Sequence, residues 1–517
     1  MRFRSLALLI PGLLFTVLAC SSGEGDADGG AGDADNDGLG GAPGLEDPGL
    51  GGPGDDGTGY GRASFRFGAN LGHPNPNFDD ATMSDLAAES GVRSIRIKYP
   101  EYHFAEWGQE IEVNDAKHYA SVGMSEHAAF LIGMSAEHST APGGTPSWEL
   151  DYWIPANLYE PIFLEDGEVN PDNYFAAYVA ATMETYSPWV KYWEIWNEPD
   201  WVSDWQVTET WWDEPPTKAQ LPRFNGSIFD YVRMLRIAYA VKEKVAPDTY
   251  VMTGGLGYSS FLSALLRYTD NPDGGAVSEA YPHTGAAYFD VLSFHHYPHL
   301  VEDGSSDAGL DSFSQHRDDL LAELDKAKAV GKGWMVTENG ASQRAIDGVA
   351  SGPAYGPNYL VKSMAWAKAE GFLGIDWFTL SDGDDASDPF ANMGLYHALG
   401  SLSSVDQAEI QMNGVAYSTV SRFLAGARLD IQGTEDLNLP ETARGYLFEQ
   451  DEKQVHVLWA RTDDDEEVAA TISLPVDGAR RLHALDSGAS GTGVELAPVD
   501  GALQLELTGA PIFVIEP

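Results

Sequence analysis

The stretch Tyr192-Trp193-Glu194-Ile195-Trp196-Asn197-Glu198-Pro199 joins an aromatic and β-branched run to a polar end. This composition predicts a strand over residues 190–196, with Glu198 directly after it. A second segment, Val336-Thr337-Glu338-Asn339-Gly340, repeats the arrangement and places Glu338 just past another short apolar run. The sequence therefore places one glutamate at the carboxyl end of each of two strands, and the fold decides whether the two side chains meet.

Between about Gly61 and Gly400, short β-branched or aromatic runs alternate with longer segments of helical period, which is typical of repeated βα units. Eight candidate strands fall at residues 64–71, 94–98, 128–134, 190–196, 250–254, 289–294, 333–337 and 374–380. Amphipathic helices are predicted between them, among others at 173–185, 229–245, 311–329 and 358–369. Eight units close most economically into a (β/α)8 TIM barrel, which we expect over residues 62–402. Right-handed crossovers then place every strand's carboxyl end on one face.

The pattern changes beyond about residue 400. One helix is predicted at 415–424, and it is followed by alternating runs at 443–448, 454–461, 467–474 and 503–508. Alternation of period two separated by polar turns predicts an antiparallel β-sandwich, which we expect over residues 403–517. The chain is thus predicted to be an α/β barrel with an appended all-β domain.

The N-terminus has the pattern of an export signal. Arg2 and Arg4 precede an apolar run at 6–18 that ends at Ala19-Cys20, and this run is too short to cross about 30 Å of hydrocarbon comfortably. Cys20 is the only cysteine, so it can make no intrachain disulfide. Val17-Leu18-Ala19-Cys20 resembles a bacterial lipobox, which implies lipidation of Cys20. We therefore expect residues 1–20 to be a lipoprotein signal peptide and the protein to be exported to the cell envelope, at the outer membrane or cell surface; a chance cysteine in an ordinary signal peptide is the alternative.

The segment between the signal peptide and the barrel has a composition of its own, and the charge of the whole chain argues against some partners. Residues 21–61 are dominated by Gly, Asp, Ala and Pro, which predicts a flexible tether. Asp33, Asp35 and Asp37 imitate the start of a calcium loop, but its twelfth position falls on Gly44 instead of glutamate. The formal net charge of −49, from 30 basic and 79 acidic residues, argues against nucleic acid and anionic lipid headgroups as partners. The lipid on Cys20 is the expected membrane contact.

A barrel requires that chemically useful side chains gather at the strand ends. Strands four and seven face each other across the mouth of an eight-stranded barrel, so Glu198 and Glu338 are expected to converge there. Other polar or aromatic residues lie on the strands or just after them: His73, Arg96, His138, His295, Tyr297 and Trp377. Two carboxyl groups about 5 to 5.5 Å apart are what a retaining glycosidase needs, one to protonate the leaving oxygen and one to attack the anomeric carbon.

Trp-Asn-Glu-Pro after the fourth strand and Thr-Glu at the end of the seventh resemble the motifs of clan A glycoside hydrolases, over the whole barrel. The resemblance implies Glu198 as acid/base and Glu338 as nucleophile, with cleavage of a β-glycosidic bond by double displacement. It further implies that Asn197 binds the sugar 2-hydroxyl, that Arg96 and Tyr297 contact Glu338, and that Trp377 floors the first subsite. His295 resembles the clan's His-x-Tyr histidine, which touches the substrate or the acid/base residue. His138 is a further candidate substrate contact.

The chemistry of these residue types supports the same roles for Glu198 and Glu338. A guanidinium and a phenol beside Glu338 would lower the pKa of that carboxyl and keep it ionised, while the negative charge of Glu338 would keep Glu198 protonated.

Three alternatives stand beside this interpretation. Glu194 lies on the same strand face as Glu198 and is a second candidate acid, and Arg93 lies close enough in sequence to replace Arg96. His295, His296 and His299 suggest a metal site, but strand alternation points the first two to opposite faces. We predict no cofactor and no metal.

Aromatic residues crowd the loops after strands three and four, where some are expected to pack in the loops and others to stack on sugar rings. They are Trp148, Tyr152, Trp153, Trp201, Trp205, Trp211 and Trp212. Within the clan, the barrel-plus-sandwich layout most resembles family 39, which includes β-xylosidases, followed by family 5; Thr-Glu-Asn-Gly also resembles family 1. The expected substrate is a plant- or microbe-derived oligo- or polysaccharide. A catalytically silent carbohydrate-binding lipoprotein and a transglycosylase using the same glutamates are the alternative functions.

Overall fold

The computed structural model describes residues 64–72, 77–300, 304–463, 465 and 468–517. The predicted signal peptide with Cys20, the tether, the calcium-loop imitation and His73 lie outside the described residues. Across the part of the chain that is described, no helix has the length and apolar character needed to span a membrane.

Eight parallel strands form a closed barrel in sequence order, which confirms the predicted fold class. The strands are β1 (Arg66–Asn70), β2 (Ser94–Pro100), β3 (His127–Ile132), β4 (Val190–Ile195), β5 (Tyr250–Met252), β6 (Val291–His296), β7 (Gly333–Asn339) and β8 (Gly374–Trp377). β8 pairs with β1 through Arg66 to Ala69, which closes the ring. Because every pairing is parallel, all carboxyl ends point to one face.

Helices surround the barrel, and all but the last of them connect its strands. They are α1 (Asp80–Glu89), α2 (Glu101–Trp107), α3 (Val113–Ser121), α4 (Tyr174–Tyr186), α5 (Ile228–Val245), α6 (Ser259–Arg267), α7 (Ser306–Lys326), α8 (Tyr355–Ala369) and α9 (Met412–Leu424). The hydroxyl of Tyr417 on α9 donates to the carbonyl of Gly68 on β1, and Ser418 donates to the carbonyl of Ser90. Helix α9 therefore packs against the first βα unit, although it lies in the 403–517 segment that the sequence assigned to the sandwich.

The barrel interior is layered along its axis. The layer at the strand starts is apolar and contains Ala128, Tyr192, Met252, Val291, Met335 and Leu373. Higher along the axis, Arg66 pairs with Asp376 at 3.2 Å, and both side chains are buried. Buried charges are tolerated only when they are paired, so the polar layers nearer the mouth are built as networks.

The C-terminal domain is antiparallel. Its strands are β9 (Arg428–Leu429), β10 (Ala443–Gln450), β11 (Lys453–Ala460), β12 (Ala470–Pro475), β13 (Arg480–Ala484), β14 (Val494–Leu496), β15 (Ala502–Leu507) and β16 (Ile512–Ile515), with helix α10 at Ile431–Asp436. A six-stranded sheet in the order β14-β13-β16-β11-β10-β9 faces a two-stranded sheet of β12 and β15. Alternate residues of β11 divide between two cores: Val457 and Trp459 pack with the barrel, and Leu458 packs with the small sheet. The predicted sandwich is thus present, with one face docked on the barrel.

Strand bounds near the mouth differ from the prediction in a way that affects the site. β6 and β7 extend beyond the predicted ends, so His295, His296 and Glu338 lie within strands. The register between these strands shifts after Phe294, where His295 comes to face Glu338 instead of Thr337. Such an irregularity re-aims side chains at the end of a sheet.

Candidate active site

Glu198 is held at the mouth by an unusual backbone turn after β4. Trp196 and Glu198 have φ angles of 78° and 49°, in the left-handed region that residues other than glycine seldom adopt. The amide of Glu198 donates to the carbonyl of Gly254 at 2.6 Å, and the indole of Trp196 donates to the carbonyl of Arg223 at 3.1 Å. Strained backbone of this kind persists only where neighbouring contacts fix it. The turn therefore directs the buried Glu198 side chain into the barrel mouth.

Glu338 receives a strong donor on each carboxylate oxygen. Arg96 donates from Nη1 to Oε1 at 2.6 Å, and the hydroxyl of Tyr297 donates to Oε2 at 2.6 Å. Burial by itself raises the pKa of Glu338, but the positive charges of His295 and Arg96 and the Tyr297 hydrogen bond outweigh it and leave that pKa below its usual value. These contacts favour an ionised Glu338, and they are the contacts that the sequence predicted for Arg96 and Tyr297.

Glu198 has different partners. Nδ1 of His295 lies 3.0 Å from Oε1 of Glu198 and 3.7 Å from Oε2 of Glu338, so the imidazole bridges the two acids. Nη1 of Arg223 lies 3.5 Å from Oε2 of Glu198. Burial lowers the pKa of His295, but the adjacent Glu338 and Glu198 carboxylates raise it above its ordinary value overall.

Arg96 links the acids to the layer beneath them. Its Nε donates to Glu194 at 2.6 Å and its Nη2 donates to Oδ1 of Asn197 at 2.6 Å. Glu194 is fully buried, and its other oxygen accepts from the hydroxyls of Ser293 at 3.0 Å and Thr337 at 2.7 Å. With both oxygens occupied below the mouth, Glu194 is an internal counter-ion, which argues against its role as the acid.

Arg93, the alternative to Arg96, is directed elsewhere. Its guanidinium bonds to the backbone carbonyls of Ala88 and Val92 at the outer side of the first βα unit. Of the two arginines, it is Arg96 that reaches Glu338 in the structure.

Two candidate substrate contacts lie in other surroundings than expected. Nδ1 of His138 bonds Oε1 of Glu101 at 2.9 Å and its ring stacks on Tyr174 at 4.2 Å. Among the described residues, His138 has no contact with either central glutamate. Trp377 is fully buried and its indole donates to the carbonyl of Met393 at 2.8 Å, so its ring has no exposed face for a sugar. In this structure Trp377 belongs to the packed barrel wall instead of the predicted subsite floor, because the segment around Met393 covers it.

His295 and His296 on β6 and His299 just after it do not converge. His296 points away from the mouth and stacks on Phe313 at 5.0 Å, as strand alternation predicts. His299 packs between the rings of Tyr297 and Phe390. A different trio, Glu198, His295 and Glu338, offers ligand atoms within 4.8 Å of one another and is the group that could hold a metal among the described residues. Arg96 and Tyr297 already bind the oxygens of Glu338, so this donor set suits proton transfer better than a cation.

The aromatic residues of the loops divide between packing and exposure. Trp211 is fully buried, whereas Trp148 is 64% exposed. Trp201 lies beneath Arg223, whose guanidinium carbon is 4.0 Å from the ring centroid. Sequence reasoning missed Arg223 because it belongs to no motif and lies in a long loop after β4. The sequence offered one indication of Arg223: basic residues are scarce in this chain, so an arginine in a loop at the carboxyl end of a strand stands out.

These features define an eight-stranded barrel with a pair of buried glutamates at its carboxyl-terminal mouth, and known structures share that fold. No protein-family model matches the sequence, and no curated protein matches it significantly. Similar solved structures include a family 39 glycoside hydrolase from Bacteroides cellulosilyticus WH2, with 17% identity, 87% of this chain and 80% of that chain covered, and a TM-score of 0.57.

Two further glycosidase structures are similar to this chain. The α-L-arabinofuranosidase of Thermotoga maritima is 10% identical, with 88% and 93% of the two chains covered and a TM-score of 0.51. The catalytic domain of a family 30 xylanase C from Talaromyces cellulolyticus is 11% identical, with 88% and 96% covered and a TM-score of 0.50. At these identities the comparisons establish the shared architecture.

Proposed function

We propose that the protein is a retaining glycoside hydrolase that cleaves β-glycosidic bonds. The observation that carries this proposal is the pair of buried carboxylates, Glu198 and Glu338, with one oxygen of each within 4.8 Å of the other. Retaining enzymes hold their carboxyl groups about 5 to 5.5 Å apart, whereas inverting enzymes need about 6.5 to 9.5 Å to admit water between them. The short separation supports direct attack by one carboxylate.

The asymmetry of the contacts supports different roles for the two glutamates. Glu338, ionised between Arg96 and Tyr297, attacks the anomeric carbon and forms a glycosyl ester. Glu198 gives its proton to the departing glycosidic oxygen and becomes a carboxylate. In the second half-reaction Glu198 takes a proton from water, the resulting hydroxide oxygen bonds to the anomeric carbon, and Glu338 leaves. Net configuration is retained because two inversions occur.

The similar structures guide the substrate class. A family 39 enzyme and a xylanase share the fold, which supports a β-xylosidase-like or endo-β-glycanase-like activity on a plant- or microbe-derived glycan. Exposed Trp148 offers an aromatic face in the loop after β3, where pyranose rings stack well. No part of the proposed reaction calls for a cofactor.

The test is hydrolysis of aryl β-xyloside, β-glucoside and β-mannoside together with xylan, glucan and mannan. Wild type should cleave at least one substrate, and Glu338→Ala and Glu198→Ala should each lose at least about 1000-fold, as expected when a nucleophile or acid/base group is removed. Azide should rescue Glu338→Ala with an α-configured glycosyl azide and Glu198→Ala with a β-configured one. Glu209→Ala, which removes an exposed carboxylate from the loop after β4, serves as the matched control.

Other outcomes distinguish the alternatives. A product of inverted configuration would contradict the double displacement. Silence on every substrate with intact glycan binding would indicate a carbohydrate-binding protein, and accumulation of longer oligosaccharides would indicate transglycosylation.

We also propose that the chain is exported and anchored by a lipid on Cys20, on the strength of the N-terminal pattern alone. Labelling with a radioactive fatty acid in a bacterial host tests this proposal. Wild type should carry label and fractionate with the cell envelope, and Cys20→Ser should lose both properties. Label retained by Cys20→Ser would contradict the proposed lipidation site.

A further inference from the structure

The two oxygens of Glu198 lie in different surroundings. Oε1 faces His295, which also approaches Glu338, so this oxygen lies on the side of the second glutamate. Oε2 faces Arg223 at 3.5 Å, on a loop that contributes no contact to Glu338 among the described residues. The guanidinium of Arg223 therefore acts on one member of the glutamate pair.

Arg223 is held in place by several independent contacts. Its carbonyl accepts from the indole of Trp196, two residues before Glu198 in the same turn. Its guanidinium lies 4.0 Å from the centroid of Trp201 and 6.0 Å from that of Tyr152. The side chain is only 16% exposed, so solvent screens its charge less than that of a surface arginine. Cation–π contacts and partial burial keep the long side chain ordered beside Glu198.

We propose that Arg223 is a positioning residue that orients Glu198 and stabilises the carboxylate left when Glu198 gives its proton to the departing oxygen. The inference rests on the proposed retaining mechanism, in which Glu198 must give up its proton once and then act as a base. A fixed positive charge beside a carboxylate stabilises the carboxylate over the protonated acid. Arg223 thus assists the proton transfer from Glu198 to the departing glycosidic oxygen, in which the carboxylate forms.

Several other groups face Glu198, and their charges determine what Arg223 must offset. They are Glu338, His295, Asp200, Tyr258 and Tyr297. Glu338 carries a negative charge, burial raises the pKa of Asp200 to about 7, and His295 is cationic only when it is itself protonated. Among these neighbours and Arg223, the arginine is the one whose positive charge is permanent at all relevant pH values.

The test is the pH dependence of kcat/KM for the active wild type and for Arg223→Met and Arg223→Lys. The basic limb reports loss of the proton from the acid in the free enzyme. Without the cation at position 223, the basic limb of the Arg223→Met profile should move to higher pH. Arg223→Lys should restore most of the wild-type position. The acidic limb, set by Glu338, should move much less and serves as an internal reference.

Lys218→Met is the matched control. Lys218 lies in the same loop as Arg223, but its ammonium group lies over the ring of Trp153 instead of approaching Glu198. The basic limb of this variant should coincide with that of wild type. A rate loss in Arg223→Met without a shift of the limb would overturn the proposal and leave Arg223 with a packing role only. An equal shift in Lys218→Met would overturn it as well, since the effect would then be long-range. Absence of any hydrolysis by wild type would instead refute the proposed function, and this inference with it.

Discussion

The guanidinium of Arg96 donates to Glu338 across 2.6 Å, joining β2 to β7 through the interior of the barrel. The same guanidinium binds the fully buried Glu194, so one cation compensates two carboxylates. A buried charge is stable only while its partner is present. The electrostatics of the candidate site and the stability of the barrel are therefore linked through one side chain.

Replacing Arg96 by methionine should destabilise the protein by about 3–5 kcal/mol, because Glu194 and Glu338 would lose their shared counter-ion in a buried environment. Urea unfolding followed by tryptophan fluorescence measures this change. Arg93→Met removes a guanidinium that, among the described residues, bonds to the carbonyls of Ala88 and Val92, and it should cost less than about 1 kcal/mol. Equal losses in the two variants would contradict the linkage.

Tyr297→Phe removes one of the two strong donors to Glu338 and keeps the ring packing. We expect kcat/KM to fall about 10- to 100-fold and the free energy of unfolding to fall by about 1.5–3 kcal/mol, because the folded state loses a charge-assisted hydrogen bond to a buried carboxylate. Loss of the donor raises the pKa of Glu338 toward its usual value, so the acidic limb of the pH–rate profile should move to higher pH. An acidic limb that stays in place would show that the hydroxyl does not act on Glu338.

Asp200 should make stability depend on pH. Burial raises the pKa of Asp200 to about 7, although the carboxylate accepts from the amides of Gly257 and Tyr258 at 2.8 Å each. The folded state then holds the proton more tightly than the unfolded chain does. The free energy of unfolding should therefore decrease as pH rises from about 4 to 7, by on the order of 3 kcal/mol.

Asp200→Asn tests this linkage, because the amide oxygen can still accept both backbone hydrogen bonds and the side chain no longer titrates. The stability of the variant relative to wild type should rise across the same pH interval, as measured by urea unfolding in a series of buffers. Asp213→Asn, at an exposed position in the loop after β4, should follow wild type. Parallel curves for Asp200→Asn and wild type would disprove the assignment.

Trp377→Phe separates packing from sugar stacking. The indole is fully buried and donates to the carbonyl of Met393, so the smaller ring leaves a cavity and removes one of the two donors to that carbonyl, the other being Asn413. A loss of about 1–3 kcal/mol in unfolding free energy is expected, with KM within about 3-fold of wild type. A large rise in KM at unchanged stability would instead support the stacking role that the clan resemblance implied.

Exhaustive treatment with a chelator should leave the hydrolysis rate unchanged. Both oxygens of Glu338 accept hydrogen bonds from Arg96 and Tyr297, and a cation would have to displace these contacts to use the Glu198–His295–Glu338 trio. The rate before and after dialysis against the chelator is the measurement. Loss of activity that added zinc restores would show that the trio is a metal site.

The sequence by itself determined the architecture and the central pair. Alternating βα periodicity requires a parallel sheet, and eight units close it, so Glu198 after β4 and Glu338 at the end of β7 had to meet at one mouth. Periodicity and strand order are local properties of the chain. Periodicity and strand order can therefore be read from the sequence. The same holds for the strand alternation that points His295 and His296 to opposite faces.

Only the tertiary structure decided which neighbours act on that pair. Arg96 rather than Arg93 reaches Glu338, Glu194 is enclosed below the mouth, Trp377 is covered by the segment at Met393, and Arg223 arrives beside Glu198 from a long loop. These outcomes depend on how loops of irregular backbone fold over the strand ends. Irregular backbone has no period, and its side-chain contacts join residues far apart in sequence, so the chain's local pattern does not encode them.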